Sequence, residues 1–184
     1  MMHKGYEYDA AHGTNKPKDR CIVWACPAHY YTNFANWTEL CWGVKCVNDM
    51  EAMLSYAPIT IGDQEQAMRD LARCYERMMM RSHTNGGYTN LLDELWRMCD
   101  RFNVNIVIMY DHVSCRNVGG LHGLFEDEAR KRGIHLIGVP NDVMDPRTVS
   151  RREMREAFNN YMINVFREEP LDPTLLDYED NLTW

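Results

Sequence analysis

The sequence predicts an α/β protein, a small doubly wound domain whose four-stranded parallel sheet carries helices on both faces. Three observations predict it. Short apolar runs alternate with longer stretches in which apolar residues recur at helical intervals, the order that crossover connections turn into a parallel sheet. The third short run, VNIVIMY at 104–110, is apolar without alternation, as a strand covered on both faces must be. Finally, 184 residues with 45% hydrophobic content can bury one sizeable core.

The first twenty residues, MMHKGYEYDAAHGTNKPKDR, are polar and contain Gly and Pro, which predicts a flexible lead-in or linker over 1–20. The folded domain is expected over 21–168. CIVWAC at 21–26 reads as a buried strand. TNFANWTELCW, closed by Gly43, reads as a helix with Phe34, Trp37, Leu40 and Cys41 on its apolar face. VKCVN is the second strand. Beyond the Pro58 loop, DQEQAMRDLARCYERMMM has Asp63 and Gln66 at capping-box spacing, then Met68, Leu71, Ala72, Tyr75 and Met78 at helical intervals. TNGG at 84–87 separates it from the helix TNLLDELWRMCDRF, whose core stripe is Leu91, Leu92, Leu95, Trp96 and Cys99. VNIVIMY is the third strand. LHGLFEDEARKR is a helix stopped at Gly133, where a C-terminal glycine belongs, and IHLIGV is the fourth strand. The last long helix, RREMREAFNNYMINVF, starts behind Ser150 and Glu153, an S-x-x-E capping box, and closes before Pro170. The acidic tail at 169–184 is expected to wrap the domain or hang free.

Charge and hydropathy narrow the class of partner. A formal net charge of −7 argues against a nucleic-acid footprint, which needs clustered Lys and Arg. The one basic run, RKR at 130–132, reads as a solvated helix C-terminus favoured by the helix dipole. No apolar run approaches the roughly 20 residues that span a bilayer, and no charged stretch followed by an apolar one opens the chain. The expectation is a cytoplasmic protein with neither nucleic acid nor membrane as partner.

The seven cysteines are odd in number and scattered among apolar neighbours, so they read as thiols rather than a disulfide framework. Cys21 with Cys26 and Cys41 with Cys46 share a spacing, and four thiolates can close a tetrahedral zinc site. However, CIVWAC read as a strand holds the sulfurs of Cys21 and Cys26 roughly 16 Å apart at about 3.3 Å per residue. Cys74 and Cys99 fall within helical patterns and read as small buried hydrophobes.

In doubly wound sheets ligands gather beyond the carboxyl ends of the strands. Two polar loops leave that edge, DHVSCRNVGG after the third strand and NDVMDPRT after the fourth, and they are expected to be neighbours with Cys115 at the rim of a cleft. A nucleophilic Cys115 would draw charge from His112, Arg116 and the following helix N-terminus. A metal-ligating Cys115 would need partners from elsewhere, and a structural one would need burial. Local features leave the three open.

Residues 107–162, VIMYDHVSCRNVGGLHGLFEDEARKRGIHLIGVPNDVMDPRTVSRREMREAFNNYM, resemble the C-terminal domain of the 2-hydroxyacyl-CoA dehydratase and benzoyl-CoA reductase superfamily. The resemblance rests on a cysteine followed by a basic residue directly after a buried strand. It rests too on a next strand ending in a loop with Asp142 and Asp145-Pro146-Arg147, and on a capped helix after that. RCIVWACP and NFANWTELCWGVKCV upstream are compatible with the same domain. The resemblance implies a four-iron, four-sulfur cluster held by three cysteines between two α/β domains, Cys115 matching the third ligand and Ser114 flanking it. It also implies an ATP-dependent iron–sulfur activator that injects one low-potential electron. An (R)-2-hydroxyacyl-CoA then passes through a ketyl radical anion, loses hydroxide from C2 and a proton from C3, and leaves as the 2-enoyl-CoA. Subunits of that family are about twice as long and take two ligands from an N-terminal domain. The expectation is therefore a C-terminal half that shares its cluster with a missing N-terminal half or a companion subunit: a truncated reading frame, an expression fragment, or one piece of a split subunit. Cys21, Cys26, Cys41 and Cys46 are not taken as the replacements, because the first pair is read onto strand one and the second is split between a helix end and strand two.

Each supporting residue also has a plainer reading. His112 is a loop hydrogen-bonder, Arg116 a surface charge rather than a CoA phosphate ligand, and Asp142 with Asp145 a turn and helix start rather than an acid–base pair. The Met78–Met80 stripe reads as core or subunit contact. Three rival functions stand beside the dehydratase: a benzoyl-CoA reductase-type subunit, a free-thiol enzyme, and a non-catalytic flavodoxin-like binding module. A dinucleotide enzyme is disfavoured because ACPAHYYTN, after the first strand, holds no glycine.

Overall fold

The computed structural model describes residues 17–50, 58–76 and 86–177. Their elements run β1 (Asp19–Trp24), α1 (Phe34–Trp42), β2 (Val44–Asp49), α2 (Gln64–Glu76), α3 (Gly87–Phe102), β3 (Ile106–His112), α4 (His122–Arg132), β4 (His135–Asn141) and α5 (Arg151–Tyr161). The four strands pair in parallel in the order β2-β1-β3-β4. The predicted doubly wound α/β architecture is therefore present.

The alternation of side chains along each strand sorts the core into two layers. Cys21, Val23, Ile106, Ile108, Tyr110, Ile137 and Val139 face α1 and α5, where Phe34, Trp37, Met154 and Phe158 meet them. Ile22, Trp24, Val107, Met109 and Leu136 face α3 and α4, against Leu95, Trp96, Cys99, Phe125 and Ala129. The residues of α1 that face the sheet are Phe34, Trp37, Thr38, Cys41 and Trp42, a run with helical spacing that leaves Leu40 outside, 64% exposed. Leu40 is therefore not a core residue. Within the predicted stripe of α3, Leu92 is only half-buried, while Met98 and Phe102 join the core.

Helix α2 forms where its period predicts, with Gln66 N–H donating to Asp63 Oδ1 at 3.0 Å. Among the described residues nothing covers its apolar stripe. Met68 and Tyr75 are exposed, and Asp70, held by Thr60 and Gln66, is the buried residue of this helix. Cys74 is half-buried rather than core, for the same reason. Met78–Met80 and most of the 1–20 lead-in lie outside the described residues.

At α5 the capping box forms in full: Ser150 Oγ accepts from Glu153 N–H, and Glu153 Oε2 accepts from Ser150 N–H at 2.7 Å. The tail wraps. Leu171 N–H donates to the Cys41 carbonyl at 2.7 Å, Trp37 Nε1–H to the Leu175 carbonyl at 2.9 Å, and Asn159 Nδ2 to the Leu176 carbonyl at 3.1 Å. Gly43 ends α1 with φ +73°, and an added Cβ there would lie 2.9 Å from Leu171 Cδ1, so this turn needs glycine for its backbone and for its space.

Candidate functional site at the carboxyl ends of β1 and β3

Strand β1 lies between β2 and β3. The chain leaves β1 toward α1 on one face of the sheet and leaves β3 toward α4 on the other. The two loops diverge, and a crevice opens between them at the switch point. A cavity of about 240 Å³ occupies it, with Met50, Leu91, Tyr110 and Val143 among its walls. Two thiols line it as well, Cys26 from the first loop and Cys115 from the third.

Cys26 was not legible as a site residue. β1 stops at Trp24 rather than running on to Cys26, and Ala25 takes φ +69°, a left-handed conformation that turns the chain out of the sheet. Pro27 carries the signal, since proline cannot continue an inner strand. Cys21, by contrast, lies fully buried under α1.

His112 closes β3 and lines the same cavity. Its Nδ1 accepts from Ser114 N–H at 2.9 Å, which assigns the ring proton to Nε2. Cys115 N–H donates to the His112 carbonyl at 2.9 Å, so a tight turn carries the thiol back over the strand end and leaves it half-buried. Ser114 and Arg116 are exposed and do not line the cavity. Burial pushes the Tyr110 hydroxyl pKa up, so it is protonated at neutral pH.

The loop after β4 is adjacent, since Val113 N–H donates to the Asn141 carbonyl at 3.0 Å. Asn141 is fully buried, and its Nδ2 donates to the Cys26 carbonyl at 3.0 Å. One residue thus braces the first loop through its side chain and the third through its backbone. Asp142 Oδ1 accepts from the N–H groups of Met144 and Asp145 at 2.9 and 3.0 Å, which holds its pKa below the usual carboxylate range. Asp145 is gripped by the guanidinium and N–H of Arg147 and sits at about 2. Both carboxylates are ionised turn-formers before α5.

Sequence reasoning also passed over Asp111 and His122. His122 Nδ1 lies 3.1 Å from the Asp111 carboxylate, which raises the histidine pKa, and Gly138 leaves room for the pair. The pair ties α4 to the end of β3.

Across the strands, Cys21 and Cys46 are in register. The Cys21 thiol donates to Cys46, which lowers the Cys46 pKa and raises that of Cys21. Among the described residues no three or more His, Cys, Asp or Glu converge as a metal site, and no helix is long and apolar enough to cross a membrane. The donors in the cavity include two soft thiols, beside His112, Tyr110 and Asn117 in a mostly apolar wall, which suits iron–sulfur ligation, though two sulfurs do not complete a ligand set.

These features define a doubly wound α/β domain with a thiol-lined crevice at its switch point. The chain belongs to the family described as 2-hydroxyglutaryl-CoA dehydratase, D-component, whose model matches residues 4–162, and so to the 2-hydroxyacyl-CoA dehydratase superfamily. It is a dehydratase-type component, which implies a partner subunit. No curated protein matches the sequence.

Proposed function

We propose that this chain forms one wall of an iron–sulfur site in an enzyme that dehydrates an (R)-2-hydroxyacyl-CoA to the 2-enoyl-CoA. The observation that carries the reading is the seat of Cys115, half-buried on the cavity at the β1/β3 switch point in a chain of this family. The family description, a dehydratase component, favours dehydration over aromatic-ring reduction.

When bound, a four-iron, four-sulfur cluster supplies one-electron relay and Lewis acidity at iron. Cys115 would hold it as a thiolate. Met50, Leu91 and Val143 exclude water from the acyl-CoA thioester, and the Tyr110 hydroxyl, kept protonated by burial, remains a hydrogen-bond donor. Ligands beyond this chain's own come from an N-terminal half or companion subunit, and the electron from an ATP-dependent activator. The proposed compartment is the cytoplasm, where seven thiols stay reduced.

The test is anaerobic incubation of the whole chain, mixed with an N-terminal half that supplies the remaining ligands, with ferrous iron and sulfide, then desalting and measurement of iron and acid-labile sulfide per chain. Cys115→Ser should retain severalfold less of both than the wild type. Equal retention, or none in either protein, refutes the reading in favour of a non-catalytic binding module.

A further inference from the structure

We infer that Cys26 is a second sulfur ligand at this site, so that the chain brings a two-thiol clamp, not one thiol, to a soft metal centre. The inference rests on the proposed function only for the identity of the occupant, iron of a cluster. The clamp itself rests on geometry.

Cys26 and Cys115 come from loops far apart in sequence, yet both line one cavity of about 240 Å³. The fold brings them there by separate devices. Ala25, at φ +69°, turns the chain off β1 so that Cys26 meets the crevice rather than the sheet interior. The His112–Cys115 turn folds the other thiol back over β3. Asn141 then fixes both loops at once, its Nδ2 on the Cys26 carbonyl and its own carbonyl on Val113 N–H. A brace that ties the two thiol-bearing loops to one buried residue holds their backbones in place before any ligand arrives, which lowers the ordering cost of chelation. The rest of the lining selects for a soft guest. His112 presents only Nε2, and Asp142 and Asp145 are spent on backbone and Arg147 and do not line the cavity. Among the described residues that lining holds no carboxylate, and Asn117 and Tyr110 supply few oxygen donors for a hard cation such as Mg²⁺ or Ca²⁺, whereas thiolates suit Fe, Zn or Cd.

Cadmium is the probe, because its thiolate complexes absorb in the ultraviolet and their formation needs neither sulfide nor a partner subunit. The reduced full chain is titrated anaerobically with Cd²⁺, alongside Cys26→Ser, Cys115→Ser, the double variant, and Cys74→Ser as a thiol remote from the cavity. Either single substitution at the cavity should weaken the tightest site at least tenfold. The double variant should be little worse than either single, as chelation demands, and Cys74→Ser should bind like the wild type. All five proteins carry Cys46→Ser, which removes the Cys21–Cys46 pair as a competing dithiol site. Wild-type affinity in Cys26→Ser overturns the inference. Should a serine variant fail to fold, N-ethylmaleimide labelling of the wild type read by peptide mass serves instead: Cd²⁺ should protect Cys26 and Cys115 together, and protection of Cys115 alone overturns the clamp. Iron and sulfide uptake by the same proteins, each mixed with the N-terminal half that supplies the remaining ligands, separates the two ideas. Chelation of cadmium without uptake of iron sinks the dehydratase reading and leaves the clamp, while iron uptake insensitive to Cys26→Ser does the reverse.

Discussion

Gly138 on β4 offers the sharpest test of how the strand ends are held. A methyl group added there would lie 2.7 Å from Asp111 Oδ2 and 2.9 Å from His122 Cε1. Gly138→Ala should therefore push the His122 ring off the Asp111 carboxylate. Each side chain of this pair is about a third exposed, so its ion pair is worth about 0.5–1 kcal/mol. Crowding a packed site costs a further 1–3 kcal/mol or so. The expected loss is thus about 1.5–4 kcal/mol, and its pH dependence identifies the cause. Asp111 raises the His122 pKa above the unfolded value of about 6.5, so the folded state holds the proton more tightly. That stabilisation is complete below the unfolded pKa and disappears as pH rises through the folded one. His135 works in the opposite sense, because burial lowers its pKa and its contribution disappears as pH falls. Its ring lies beside Tyr161 and Phe166, apart from Gly138, and it titrates alike in both proteins. Urea unfolding followed by tryptophan fluorescence should therefore give a wild-type advantage larger by about 0.5–1 kcal/mol near pH 5.5 than near pH 9. A difference independent of pH refutes the claim that the methyl breaks this pair, and a variant as stable as wild type refutes the crowding.

Two further outcomes follow from side chains already described. Ser150→Ala removes the reciprocal cap of α5 and should cost about 1 kcal/mol in the same unfolding assay, with Ser150→Asp retaining most of the stability. Cys46, lowered by the hydrogen bond from Cys21, should react with iodoacetamide at near-neutral pH ahead of Cys41 and Cys99, which burial raises to about 11 and about 12. Cys21→Ala should slow that reaction, and mass spectrometry that finds Cys41 or Cys99 labelled first would contradict the assignment.

The sheet was legible because β3 is apolar on both faces and because caps at Ser150 and Gly133 mark helix ends in the sequence itself. The α2 stripe shows the limit of period as evidence. Met68, Leu71 and Tyr75 report that the helix has an apolar face, and periodicity says nothing of what lies over it. Leu40 failed for a smaller reason, being hydrophobic but off the face on which Trp37 and Cys41 align. At the site, Cys115 could be located because a polar loop directly follows an apolar strand. Cys26 could not, because CIVWAC looks uniformly buried until Ala25 is seen to leave the sheet. Asn141 was beyond reach for another reason: its role is a pair of hydrogen bonds to partners 28 and 115 residues away, and no local pattern encodes those.

The wrapped tail has a consequence for the thiols. Residues 171–176 take hydrogen bonds from Trp37 near the start of α1 and from Asn159 of α5, and Asn159 Oδ1 in turn accepts from Trp42 Nε1 at 2.9 Å. Helix α1 is the element into which the Cys26 loop feeds. Proteolytic trimming of this strap would leave donors on two helices without acceptors and loosen the outer flank of the first loop. Damage to an acidic segment that touches no ligand would then register at the cavity as misplaced sulfur.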